Sequence, residues 1–143
     1  MARGTTLLEI LLVLLILALL AGLTLPAFGS LRDQLEVKQA AELVASAHVR
    51  ARLLAAVERR VMLLTLTPDS VVVRAVESPG DTVERWRTAG PGTGGMRLTG
   101  FPRRVAFGPS GIALGLANGS YGFDRGAAHR EVIVSRYGRV RQN

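Results

Sequence analysis

The chain has 143 residues, room for one small domain beside an apolar N-terminal segment. It has no cysteine, which excludes disulfides, thiolate metal sites and a lipid-modified cysteine. The net charge of +7 is concentrated late in the chain, where from Gly95 onward eight arginines stand against Asp124 and Glu131 alone. Such a surplus points to a polyanion or an acidic neighbour as partner; it says nothing of fold.

The first element is an apolar run. Leu7 to Leu25 is 19 residues long and carries one charge, Glu9. A helix needs about 20 residues to cross the hydrocarbon core of a bilayer. Arg3 supplies the positive charge expected on the cytoplasmic side. A charged side chain deep in a membrane costs about 2.5–3.5 kcal/mol on the insertion scale, so Glu9 requires a partner. A secretory signal peptide would have a small-residue cleavage site after the run. Leu25-Pro26-Ala27-Phe28-Gly29 fits that poorly, and Glu9 is misplaced for it. A plain single-pass anchor leaves Glu9 unexplained.

Gly4 followed by Thr5-Thr6-Leu7-Leu8-Glu9 resembles the processing site of type IV pilins and pseudopilins, the class III signal peptide. The resemblance implies that residues 1–4 are a leader, cut between Gly4 and Thr5 by the prepilin peptidase, which methylates the new N-terminus. Thr5 stands where the family usually has Phe. Glu9 becomes the fifth mature residue, the position of the family's glutamate, and its implied partner is the Thr5 amine of a neighbouring subunit. Opposite charges in a low-dielectric setting attract strongly, and a lone one is penalised. Residues 5–29 would form the inner-membrane and filament-core helix, with the head in the periplasm or outside.

Pro26 removes one backbone donor and is expected to bend the helix, because helical pattern resumes at once. Residues 30–60 read as its continuation. Val37, Ala40, Val44, Ala47, Ala51 and Leu54 recur at intervals of three and four, an apolar stripe that is small enough for close approach. His48 lies beside that stripe and reads as structural.

Residues 61–143 switch to period two. Strands are predicted over 61–67 and 70–76 as a hairpin, then over 82–88 after the Ser78-Pro79-Gly80-Asp81 turn. Gly90 to Gly95 reads as a flexible loop; no Lys-Ser or Lys-Thr follows, which excludes a phosphate loop. Short strands follow at 96–98, 103–107 and 112–116, the last pairing back across Gly108-Pro109-Ser110-Gly111. Asn118-Gly119 carries the strongest hairpin signal of the chain. Residues 131–135 and 139–141 form the closing strands around Tyr137-Gly138.

The segments Val105-Ala106-Phe107-Gly108-Pro109-Ser110-Gly111, Arg130 to Ser135 and Gly138-Arg139-Val140-Arg141 resemble the GspH/FimT family of minor pilins and pseudopilins. The resemblance implies an α+β fold, a long N-terminal helix with a transmembrane first half, packed on a small antiparallel β-sheet or β-sandwich-like head. It implies a filament subunit of a type IV pilus or a type II secretion pseudopilus. Some FimT-type members bind DNA during natural transformation. On this chain that role would fall to Arg130, Arg136, Arg139 and Arg141, contacting double-stranded DNA through its phosphates and without sequence preference. Alternate strand residues share a face, so Arg139 and Arg141 would point together. The two histidines and scattered carboxylates offer no nucleophile–base pair or ligand set, so neither catalysis, a metal nor another cofactor is expected.

Overall fold

A computed structural model describes residues 6–115, 118–135 and 137–143, with the backbone alone for residues 23–27 and 93. The chain begins with one helix, α1 (Leu7–Glu58), of 52 residues. At 1.5 Å per residue it is about 80 Å long. Its backbone continues through Pro26 without interruption. Thr6 caps the start, and Arg59, in the left-handed region at φ 51°, ends it.

Strands β1 (Met62–Leu66), β2 (Ser70–Ser78), β3 (Asp81–Ala89), β4 (Arg97–Thr99), β5 (Arg103–Phe107), β6 (Ala113–Leu114), β7 (Gly119–Arg125), β8 (Ala128–Val134) and β9 (Val140–Gln142) follow. Among the described residues they form a five-stranded sheet, β3-β2-β1-β5-β6, and a four-stranded one, β4-β7-β8-β9. Every pairing is antiparallel. The α+β architecture expected from the sequence is therefore the one observed.

Both sheets pack on the distal half of α1. Val37, Ala40, Val44, Ala47 and Ala51 are buried as the stripe requires, joined by Ala41 and Ala55; Leu54 is only half-buried. The first sheet turns Met62, Leu64, Leu66, Val71, Val73 and Phe107 to this face, and the second turns Tyr121, Phe123, Val132 and Val134. Each fully buried Val, Leu or Phe contributes about 1.5–3 kcal/mol. The row of alanines lets the sheets approach the helix backbone closely.

Three local expectations change. Asn118-Gly119 does not close a hairpin: the chain leaves the first sheet with β6 and enters the second at Gly119. A β-carbon there would overlap the Arg103 guanidinium, which donates to the Asn118 carbonyl, so a larger residue would displace that side chain. The hairpin of the second sheet lies instead at Gly126-Ala127, between paired Arg125 and Ala128. Gly126 has φ 56°, the left-handed first position of a II′ turn. The glycine segment expected to be a flexible loop contains a 3-10 turn, Pro91–Gly94. It is pinned by Gly90 N–H to the Asp69 carbonyl at 2.8 Å and Gly92 N–H to the Pro68 carbonyl at 2.7 Å. The last strand is Val140–Gln142, one residue later than expected.

Among the described residues no helix is long and apolar enough to cross a membrane. The span expected over residues 5–29 draws on Thr5 and on the side chains of residues 23–27, which lie outside the described set.

Candidate functional site

No strand of the described residues packs on the first four turns of α1. From Leu7 to Leu20 its large apolar side chains are between 49% and 77% exposed, on every side of the helix. A helix that is apolar all round needs an apolar surround. The exposure continues on the outward face as Phe28, Leu31 and Leu35, and reappears at Val49, Leu53 and Val57, while the opposite face is buried under the sheets.

Glu9 sits in the first turn of this helix. Its backbone N–H donates to the Thr6 hydroxyl at 3.3 Å, so Thr6 is the N-cap and Glu9 occupies the third helical position. That is the spacing of a capping box, and the unpaired N–H groups at a helix start favour a carboxylate. The Thr-x-x-Glu spacing was present in the sequence and escaped the sequence reading. Gly4 and Thr5, the expected processing pair, lie outside the described residues.

The tail arginines do not form one group. Val140 pairs with buried Val134, and Arg141 pairs with outward-facing Ile133. Arg139 keeps the ladder going: the Ser135 N–H donates to its carbonyl at 2.9 Å, and its own N–H donates to the Ser135 hydroxyl at 3.1 Å. Arg139 and Arg141 therefore project from one face, and both are exposed. Arg130 pairs with buried Phe123, hence belongs to the inner face, where it lines a cleft with Gln34 and Val37 of α1. Arg136 lies outside the described residues.

Arg125 is committed elsewhere. Its Nε donates to Asp33 Oδ1 at 2.8 Å, and Nη1 donates to both Glu36 and the Gly94 carbonyl. This clamp ties the β7–β8 hairpin and the 3-10 turn to α1. No pattern in the sequence pointed to it, because its members are about ninety residues apart.

His48 is buried between helix and sheets. A carbonyl only accepts, so His48 Nδ1–H donates to the Val44 carbonyl at 2.9 Å, which leaves Nε2 to accept from the Tyr121 hydroxyl at 3.2 Å. Burial holds the His48 pKa below the ordinary 6.5, with the Arg103 charge acting in the same direction. Burial pushes Tyr121 up to about 12. The pair is neutral, satisfied and structural, as the sequence suggested for His48.

No protein-family model and no curated protein sequence matches this chain. Among solved structures, it is similar to the type IV minor pilin FimU of Pseudomonas aeruginosa in one crystal form, with TM-score 0.61 and 16% identity over 76% of this chain and 88% of that one. A second crystal form of the same protein gives TM-score 0.57 and 15% identity over 74% and 91% of the two chains. The long helix carrying an antiparallel β-head on its distal half is thus a type IV pilin-like minor-pilin fold.

Proposed function

We propose that this protein is a minor subunit of a type IV pilus filament, with the pseudopilus of a type II secretion system as the alternative machine. The prepilin peptidase cuts it between Gly4 and Thr5. Residues 5–29 hold it in the inner membrane until it is extracted into the filament. Glu9 pairs there with the Thr5 amine of a neighbouring subunit. The observation that carries this reading is the proximal half of α1, apolar on every side, exposed from Leu7 to Leu20, and interrupted only by Glu9.

The test is made in cells that produce the protein. Glu9→Ala should leave a processed subunit in the membrane fraction and deplete it from sheared filaments. Undiminished incorporation of the variant would overturn the reading. Which secretion or pilus subunits cross-link to the wild-type protein distinguishes the two machines.

A second reading is favoured by one observation: Arg139 and Arg141 project together from an exposed face, with no carboxylate bonded to either among the described residues. Guanidinia so arranged suit phosphate oxygens and release counterions on binding. On this reading the subunit also binds double-stranded DNA for uptake. Loss of DNA uptake with filaments intact, after Arg139 and Arg141 are changed to Gln, supports it; unchanged uptake refutes it.

A further inference from the structure

We propose that Arg52, from the long helix, belongs to the same anion-binding ridge as Arg139 and Arg141; the inference rests on the nucleic-acid reading above. In the sequence Arg52 is nearly ninety residues from the tail and reads as one more solvated helix residue. The fold brings them together. A β-carbon placed on Gly138 would lie 3.2 Å from Arg52 Nη1 and 3.3 Å from its Cδ. One placed on Gly111 would lie 3.2 Å from Arg52 Cγ. The Arg52 side chain therefore lies across two bare turns, one from each sheet, and its guanidinium rests on the residue that directly precedes Arg139.

Both glycines have φ 74°, a conformation that other residues rarely adopt, so the two turns stay bare and Arg52 keeps its path. The side chain is exposed, and no carboxylate is bonded to it among the described residues. The acidic groups of α1 on either side are engaged elsewhere: Asp33 and Glu36 with Arg125, Glu42 with Lys38, and Glu58 with Arg85. What remains is a cationic edge built from two elements that the core holds rigidly together. Its tail arginines project from a backbone pinned by Ser135. A backbone of regularly spaced phosphates matches three such cations better than any single carboxylate does.

The experiment uses the full chain in detergent and a 30-base-pair duplex, with affinity followed against salt. Wild type is compared with Arg52→Gln, Arg52→Lys and the double variant Arg139→Gln with Arg141→Gln. Arg52→Gln should flatten the log–log salt slope by about 0.9, the share of one neutralised phosphate, and weaken binding at low salt about fivefold. Arg52→Lys should keep the wild-type slope, because the point charge survives. Melting temperatures should match across the Arg52 variants, separating a contact from a folding defect. If Arg52→Gln binds as wild type while the tail double variant loses affinity, Arg52 is not on the ridge and the nucleic-acid reading stands without it. If wild type does not bind, or the tail double variant binds as wild type, the reading itself fails and takes this inference with it.

Discussion

The Tyr121 hydroxyl donates to Nε2 of His48 at 3.2 Å, joining the long helix to the second sheet inside the core. This bond exists only while the imidazole is neutral and the phenol is protonated. Burial holds the folded-state pKa of His48 below 6.5, so the unfolded chain takes up the proton first as pH falls. Stability is then fully present above pH 6.5 and lost as pH falls toward the folded-state value, with a limiting slope of about 1.4 kcal/mol per pH unit. For Tyr121 the folded pKa is raised to about 12, so its contribution is present below the ordinary 10 and lost as pH rises from there. The melting temperature should therefore form a plateau between these limits. His48→Gln should lower the plateau and flatten the fall below pH 6.5. Equal slopes for both proteins would show that His48 does not govern the acid limb.

Tyr121→Phe removes the donor and keeps the ring. Nε2 of His48 is then buried without a partner, which costs about 1–3 kcal/mol. Chemical denaturation should show a lower midpoint with an unchanged slope. A midpoint equal to wild type would mean that water replaces the hydroxyl.

Arg125 holds α1 through Asp33 and Glu36, and all three side chains are only 24–29% exposed. Arg125→Gln takes the cation from Asp33 and leaves Glu36 with Arg32 alone. Partial exposure reduces the penalty of a buried broken pair to about 1–2 kcal/mol. Gly126→Ala should act on the same clamp by a different route: its β-carbon would come within 2.5 Å of Asp33 Oδ2, at a φ of 56°. If the two variants share one mechanism, their combined loss in a thermal melt will be smaller than the sum.

The periodic elements were legible in the sequence because one physical rule decides each of them. The Val37–Ala51 stripe follows from the helical period, and the β1–β2 hairpin from alternation ended by Pro68-Asp69. What failed depended on the third dimension. Asn118-Gly119 has the composition of a hairpin, yet the strands before and after it belong to different sheets. Gly126-Ala127 makes the true turn with a weaker dipeptide signal. Arg130 looked like a partner of Arg139 along the chain, but strand parity puts it on the inner face opposite Phe123. Arg52 and Gly138 meet only because the helix and the β8–β9 turn share one end of the head.

The strand parity makes a prediction of its own. Arg130→Gln should leave duplex DNA affinity and salt slope as in wild type. Arg139→Gln with Arg141→Gln should flatten the slope by about 1.8, two phosphates' share. Equal effects from both variants would mean that charge alone matters, without regard to the face that carries it.

Glu9 has two separable roles, and one pair of variants divides them. As the third residue of the helix it fits a capping box with Thr6, a role that Gln fills as well as Glu. As a charge it attracts a cation in an apolar setting, a role that Gln cannot fill. Thr6→Ala should cost about 1 kcal/mol at the first turn and lower filament incorporation only modestly, since the carboxylate remains. Glu9→Gln should keep the first turn and still deplete the subunit from filaments. Normal incorporation of Glu9→Gln together with failure of Thr6→Ala would reverse the assignment, making Glu9 a capping residue whose charge is incidental to assembly.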